Sequence, residues 1–263
     1  MGEKSVSFVE VPAAMRTLTL LNPRLSYHRA TLEHAEHVPS SGGAVLVSNH
    51  GRLDFDFFIL LRLLQRSGGR LARLLADHMW FTNALTRSTF RRVGAVDGTR
   101  ENALRLLQDG ELVLSYPGGV REILGGRFGH EHLDWEGRHG FALVAVRAGV
   151  PVIPIAGIGV NNGLIFLTGG RLLGALLFRG VLRLGPAYAG YRNPLAIGVL
   201  PFPLPLSMAV ALPLPCKLTY IVGEPLLPPS PVRGESEQQL AARFAREVET
   251  AMRDLIGRYG KPD

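Results

Sequence analysis

Short apolar runs alternate with helix-patterned segments along this chain, and few folds are open to a chain so patterned. Ala44-Val45-Leu46-Val47-Ser48 is an apolar run of strand length that reads as buried on both faces. A helix is expected over residues 56–65, stopping at Gly68-Gly69. Further strands are expected at 72–76, 93–96, 111–116, 151–157 and 217–222. Asp97 and Thr99 are placed to cap a helix through residues 101–108 that Gly110 ends, and residues 138–149 have helical period. Strands and helices alternating across short connections predict an α/β fold, a single domain with a mostly parallel central sheet flanked by helices. At 263 residues the chain is long enough for such a domain and a large core. Sites in these sheets form beyond the carboxyl ends of strands. His50 and the loop after Tyr116 both lie at such ends.

Both ends of the sequence are patterned as helices. Val11, Ala14, Met15, Leu18 and Leu21 share one face of a helix over 11–22 that Pro23 is expected to end. Near the C-terminus, Ser236 and Gln239 form a capping box, followed by an apolar stripe of Leu240, Phe244, Val248, Met252 and Leu255. Two other stretches are unlike an ordinary soluble domain. In residues 164–185, Arg171, Arg179 and Arg183 fall on one side of a helix rich in Leu, Phe, Val and Gly, as in a helix lying in a membrane interface. Residues 194–216 carry no charge and are long enough to span a bilayer, but prolines at 194, 201, 203, 205, 213 and 215 oppose one regular helix. A membrane-dipping or core-buried segment is the expectation there.

Bulk chemistry narrows the partners. Hydrophobic residues make up 46% and charged residues 19%, with mean hydropathy +0.15. The net charge of +7 draws the protein to anionic partners without choosing among nucleic acid, an acidic leaflet and phosphorylated ligands. The arginines are not interleaved with aromatics in a nucleic-acid motif, so no nucleic acid is expected as a partner. The single Cys216 excludes an internal disulfide and agrees with a reducing compartment. No signal peptide is read in residues 1–10, and Val6 breaks the myristoylation pattern.

Two constellations carry chemistry. In Ser48-Asn49-His50-Gly51-Arg52-Leu53-Asp54-Phe55-Asp56, a histidine follows a buried strand and precedes two carboxylates. One carboxylate can accept the Nδ1 proton and fix the tautomer, so that the other ring nitrogen takes a proton from a substrate hydroxyl. In Tyr116-Pro117-Gly118-Gly119-Val120-Arg121-Glu122, two glycines let a ligand approach backbone N–H donors, and Arg121 offers a bidentate anchor for phosphate or carboxylate. Other signals are weaker. His130, His132, Asp134 and His139 lack tight ligand spacing, so no metal is expected. Residues 157–163 miss the dinucleotide-loop spacing by one place, and neither a G-x-S-x-G elbow nor a Walker motif occurs.

These motifs resemble the glycerolipid acyltransferase superfamily over roughly residues 25–230. Its first block is a His, four residues and an Asp. Its third reads Phe-Pro-Glu-Gly-Thr-Arg and its fourth is a Pro-Val-Ile-Pro-Val strand. Here His50, Tyr116-Pro117-Gly118-Gly119-Val120-Arg121 and Pro151-Val152-Ile153-Pro154-Ile155 keep that order and spacing, with residues 93–102 at the second block. Phe55 stands where the Asp is expected, and the acid comes one residue later at Asp56 or one earlier at Asp54. Gly118 replaces the third-block Glu. Both departures resemble the diacylglycerol acyltransferase-like branch, as do Trp135, Arg138 and Gly140-Phe141-Ala142.

The resemblance implies a glycerol-phosphate-acyltransferase-like fold and a membrane-associated O-acyltransferase on the cytoplasmic face. Residues 1–30 would form an N-terminal membrane-facing or packing segment and 31–263 the acyltransferase domain, with 164–215 contacting the membrane. His50 would deprotonate an acceptor alcohol for attack on acyl-CoA or an acyl-carrier-protein thioester, with no separate cofactor. Asp56, or alternatively Asp54, would orient the ring. Asn49, Gly118, Gly119, Val120, Arg121, Glu122 and Arg138 would bind substrate. Loss of the third-block Glu points to a neutral acceptor such as a mono- or diacylglycerol or a long-chain alcohol. The alternatives are a 1-acylglycerol-3-phosphate or lysophospholipid acyltransferase and a non-catalytic basic protein that binds acidic lipid or nucleic acid.

Overall fold

Ala44 and Leu46 join one buried cluster, while Val45 and Val47 join another. The strand they share is therefore covered on both faces, which is why its sequence lacks polar alternation. The computed structural model describes residues 11–20, 22–51, 56–82, 84–119, 122, 129–162, 164–166, 211–213 and 215–260. Its strands are β1 (Thr31–Glu33), β2 (Ala44–Ser48), β3 (Ala72–Ala76), β4 (Val96–Asp97), β5 (Leu112–Ser115), β6 (Val152–Ile158), β7 (Leu164–Phe166), β8 (Ala211–Pro213) and β9 (Thr219–Val222). Seven form one sheet in the order β1-β9-β6-β2-β5-β3-β4, and β7 pairs with β8 separately. Among the described strands of the larger sheet only the β6–β9 pair is antiparallel. The fold is thus the expected single α/β domain with a mostly parallel sheet.

The helices are α1 (Val11–Thr19), α2 (Asn22–Tyr27), α3 (Asp56–Gly68), α4 (Met79–Thr82), α5 (Ala84–Arg92), α6 (Arg100–Gln108), α7 (Gly140–Ala148) and α8 (Glu237–Tyr259). On one face of the sheet, Ala14 and Leu18 of α1 pack in the cluster that holds Ile59, Leu60 and Leu61 of α3. On the other, Leu106 of α6, Leu143 of α7 and Phe244 of α8 share a cluster. The capping box forms: Ser236 N donates to Gln239 Oε1 at 2.9 Å, and Gln239 N donates to Ser236 Oγ at 3.3 Å.

The structure corrects several expectations. Pro23 does not end a helix over 11–22. The first helix stops at Thr19, and Pro23 lies in the first turn of α2, where its missing N–H costs nothing. Thr99 alone caps α6, its Oγ1 accepting from Asn102 N at 3.2 Å, while the Asp97 carboxylate meets His78 Nδ1 at 2.6 Å. Residues 164–166 begin the supposed interfacial helix as a strand, paired with Ala211–Pro213 from the charge-free stretch. The greater part of both stretches, residues 167–210, lies outside the described residues. The β7–β8 ladder explains why β9 runs antiparallel to β6: the chain returns near the end at which β6 left the sheet. A Cβ built on Gly159 would lie 2.1 Å from the Lys217 carbonyl oxygen. Among the described residues no helix is long and apolar enough to cross a membrane.

Candidate active site

Parallel pairing puts the two constellations side by side. Val47 is in register with Ser115, so β2 and β5 end at the same edge, where Asn49-His50 and Tyr116 emerge together. The His50 and Tyr116 rings lie 4.6 Å apart, centroid to centroid, tilted by 39°. One cleft of about 620 Å³ is lined by His50, Tyr116, Pro117 and Gly119.

Asp56 is the acid beside the imidazole. Its Oδ1 lies 3.3 Å from His50 Nδ1, and its Oδ2 accepts from Gly51 N at 3.2 Å. The carboxylate is fully buried, while the histidine keeps 8% exposure at the cleft. Asp56 is the first residue of α3. Tyr220 Oη donates to the Asp56 carbonyl at 3.0 Å and ties this helix start to β9. Asp54, the alternative acid, lies outside the described residues. Gly51 permits close packing of this backbone on Val160, since a Cβ there would sit 2.5 Å from the Val160 carbonyl oxygen.

Several residues expected to bind substrate sit elsewhere. Asn49 is fully buried, its Nδ2 donating to Gly157 O at 2.9 Å and its Oδ1 accepting from Gly157 N at 2.7 Å. It locks the end of β2 to β6 instead of facing the cleft. Glu122 is also fully buried: Oε2 accepts from His50 N at 2.7 Å and Oε1 from Asp134 N at 3.0 Å. Burial raises its carboxyl to about 7 against the opposing effect of those two donors. Gly119 N donates to Tyr116 O at 3.1 Å and Glu122 N to Gly119 O at 3.2 Å, so these two amides close the turn and are not oxyanion donors. Gly118 is buried in the same turn. Arg138 does line the cleft, and its Nη1 donates to the carbonyls of Pro117 at 3.0 Å and Gly118 at 2.9 Å. Val120 and Arg121 lie outside the described residues.

The cleft has two characters. Phe57, Leu74, Trp80, Phe90 and Phe141 give it apolar walls, while Thr99, Arg100 and Arg138 give it polar ones. Trp80 and Phe90 stack at 4.7 Å. The sequence reading missed this wall because α4 and α5 are short and give little periodic signal; the aromatic spacing was the cue available. It also gave Tyr116 no role. Burial and neighbouring Asp56 hold the Tyr116 phenol well above its usual range, so it remains neutral beside His50.

Comparison with known proteins agrees with this geometry. The family model described as Acyltransferase matches residues 29–157, which contain both motifs. The chain is 32% identical over 165 residues to a Bos taurus protein named "DGAT1/2-independent enzyme synthesizing storage lipids", covering 63% of this chain and 49% of that protein. The Homo sapiens protein of that name is 31% identical over 165 residues, covering 63% of this chain and 51% of that protein. The chain thus spans about half the length of these curated relatives. The solved 1-acyl-sn-glycerophosphate (LPA) acyltransferase PlsC from Thermotoga maritima shares the fold, with TM-score 0.53 and 17% identity over 94% of this chain and 81% of that one. Residues 29–157 thus carry the match to the Acyltransferase family model, and the fold is that of the Thermotoga maritima enzyme.

Proposed function

We propose that this protein is an O-acyltransferase that moves a fatty acyl group from acyl-CoA, or an acyl carrier protein, to a neutral lipid hydroxyl. The observation that carries the proposal is the His50–Asp56 pair, 3.3 Å apart, at the wall of a cleft with aromatic and aliphatic sides. With Nδ1 turned to Asp56, Nε2 is the nitrogen that meets an acceptor hydroxyl. The alcohol loses its proton to Nε2 as its oxygen attacks the thioester carbonyl. The tetrahedral intermediate collapses, the thiolate leaves, and the imidazolium returns a proton to it. No covalent enzyme intermediate is required. The apolar walls suit an acyl chain, and Arg100 and Arg138 suit the phosphates of a donor. A mono- or diacylglycerol or a long-chain alcohol is the proposed acceptor, in line with the storage-lipid names of the relatives.

Lipid mass spectrometry after incubation with labelled acyl-CoA and a panel of acceptors tests this reading. Product should appear with diacylglycerol or monoacylglycerol and vanish in His50→Ala. Undiminished turnover in that variant removes His50 as the base. The same two arginines favour a second reading, lysophosphatidate as acceptor, and the panel decides between them by product. Attachment to the cytoplasmic face of a membrane through residues 164–215 belongs to the same proposal. It is supported by the charge-free run 194–216 and the arginines at 171, 179 and 183. Co-sedimentation with anionic liposomes should weaken when those three arginines are replaced by Gln, and unchanged binding would remove them from the membrane contact.

A further inference from the structure

Replacement of a family Glu by Gly118 has the appearance of a lost acid. The geometry is different. A Cβ built on Gly118 would fall 2.1 Å from Glu122 Cδ and 2.5 Å from its Oε1. The space that a side chain at 118 would enter is filled by a carboxylate arriving from four residues later. That carboxylate has two backbone partners on separate loops, His50 N at 2.7 Å and Asp134 N at 3.0 Å. Four residues beyond Asp134, Arg138 grips the carbonyls of Pro117 and Gly118 and closes the ring of contacts.

We propose that Glu122 is a positioning residue whose buried carboxylate, seated against Gly118, clamps the backbone of His50 and so sets the reach of its imidazole into the cleft. This rests on His50 being the base, as proposed above. Two amide donors need two acceptor oxygens, and an ionised carboxylate is the side chain that offers both. Gln has one oxygen, and its NH₂ would confront one of the two N–H groups. The ordinary stabilising role of a buried Glu does not predict which kinetic constant changes, whereas the clamp does. Once substrate is bound, a displaced base lowers kcat and leaves KM alone. A carboxyl that titrates near 7 also makes the clamp weaken in acid, where the protonated form has lost one good acceptor. The charged or titratable groups that act on it are His50 and Asp134, with Tyr116 alongside and Arg138 beyond the Gly118 carbonyl.

The test uses the purified full chain with labelled acyl-CoA and its best acceptor. Glu122→Gln should lower kcat at least tenfold at pH 8 with KM within twofold. The gap to wild type should narrow toward pH 5.5, where wild type loses its second acceptor as well. Wild-type kcat in the variant, or a gap independent of pH, overturns the proposal. Thermal melting supplies a reading that does not depend on activity. Gly118→Ala and Glu122→Ala should each lower Tm, and the double variant should lose clearly less than the sum, because removing the carboxylate makes room for the methyl group. Additive losses overturn the claim that both occupy one space. If these variants fail to fold, amide exchange in the wild type still decides: His50 and Asp134 N–H should both be strongly protected, and rapid exchange of either rules out the clamp. A wild type that transfers no acyl group would defeat the functional reading while leaving the melting and exchange tests in force.

Discussion

At the scale of single residues, tautomer control is the role proposed for Asp56. Its Oδ2 is held by Gly51 N and its Oδ1 faces His50 Nδ1. In Asp56→Asn the amide oxygen would keep the Gly51 N–H, turning the NH₂ toward the ring. Nδ1 would then have to accept, Nε2 would carry the proton, and the base would be unable to take one from the acceptor. The expected loss in kcat is roughly 10²–10⁴-fold, with little change in acceptor KM. Steady-state rates for Asp56→Asn and Asp54→Asn check the assignment. A larger loss in the Asp54 variant would move the role to that residue. The nearness of His50 and Asp56 was legible in sequence because a His that leaves a buried strand just before a helix start is held close to the first residue of that helix. Asn49 and Glu122 were misplaced for a physical reason. A polar side chain in a loop motif can face a ligand or a backbone amide, and only the packing of β6 and of the 130s loop shows that these two face inward.

At the scale of elements, caps and glycines were the readable signals and short pieces were not. Gly110 and Gly149 follow their helices at positive φ, as the pattern required. α4 and the three-residue β1 have too few residues for a period to register, and β1 forms because β9 gives it a partner. Competition between Asp97 and Thr99 to cap α6 was settled by His78, which engages the Asp97 carboxylate. Thr99→Ala should therefore destabilise the protein by about 1 kcal/mol through the lost bond to Asn102 N. Asp97→Ala should cost less, since it removes an exposed contact. Urea denaturation of both variants at pH 7 checks the ranking, and an equal or larger loss for Asp97→Ala would assign the cap to the wrong residue. Thr99 also lines the cleft beside Arg100, so its variant should be assayed for acceptor KM as well.

For the whole molecule, fold class followed from periodicity, but the short strands β1, β7 and β8, the strand order and the reversal of β9 did not. Those depend on where the chain re-enters after residue 158, which local pattern does not encode. The exit from β6 is stitched by Glu131, whose Oε1 accepts from Gly159 N at 2.6 Å, with Asn161 Nδ2 at 3.5 Å from its Oε2. Burial, assisted by the charge of Asp56, raises the Glu131 carboxyl to about 7 despite the Gly159 donor. Between its ordinary value near 4.5 and about 7, the folded protein holds a proton at this site that the unfolded chain has released. Stability contributed by Glu131 is therefore greatest below pH 4.5 and declines as pH rises to 7, by about 3 kcal/mol at most. His28, whose burial lowers its pKa, acts in the opposite direction, and Glu122 acts in the same direction. Both are common to wild type and to Glu131→Gln, so they cancel in the difference. Glu131→Gln keeps an acceptor for Gly159 N and removes the titration. Relative to wild type, the variant should gain stability as pH rises from 4.5 to 7 and hold that gain at pH 8. Urea denaturation at fixed ionic strength across pH 4.5–8 measures it. A difference that stays flat over that range would mean that Glu131 titrates alike in the folded and unfolded chain, and that the turn after β6 is not held by a neutral acid.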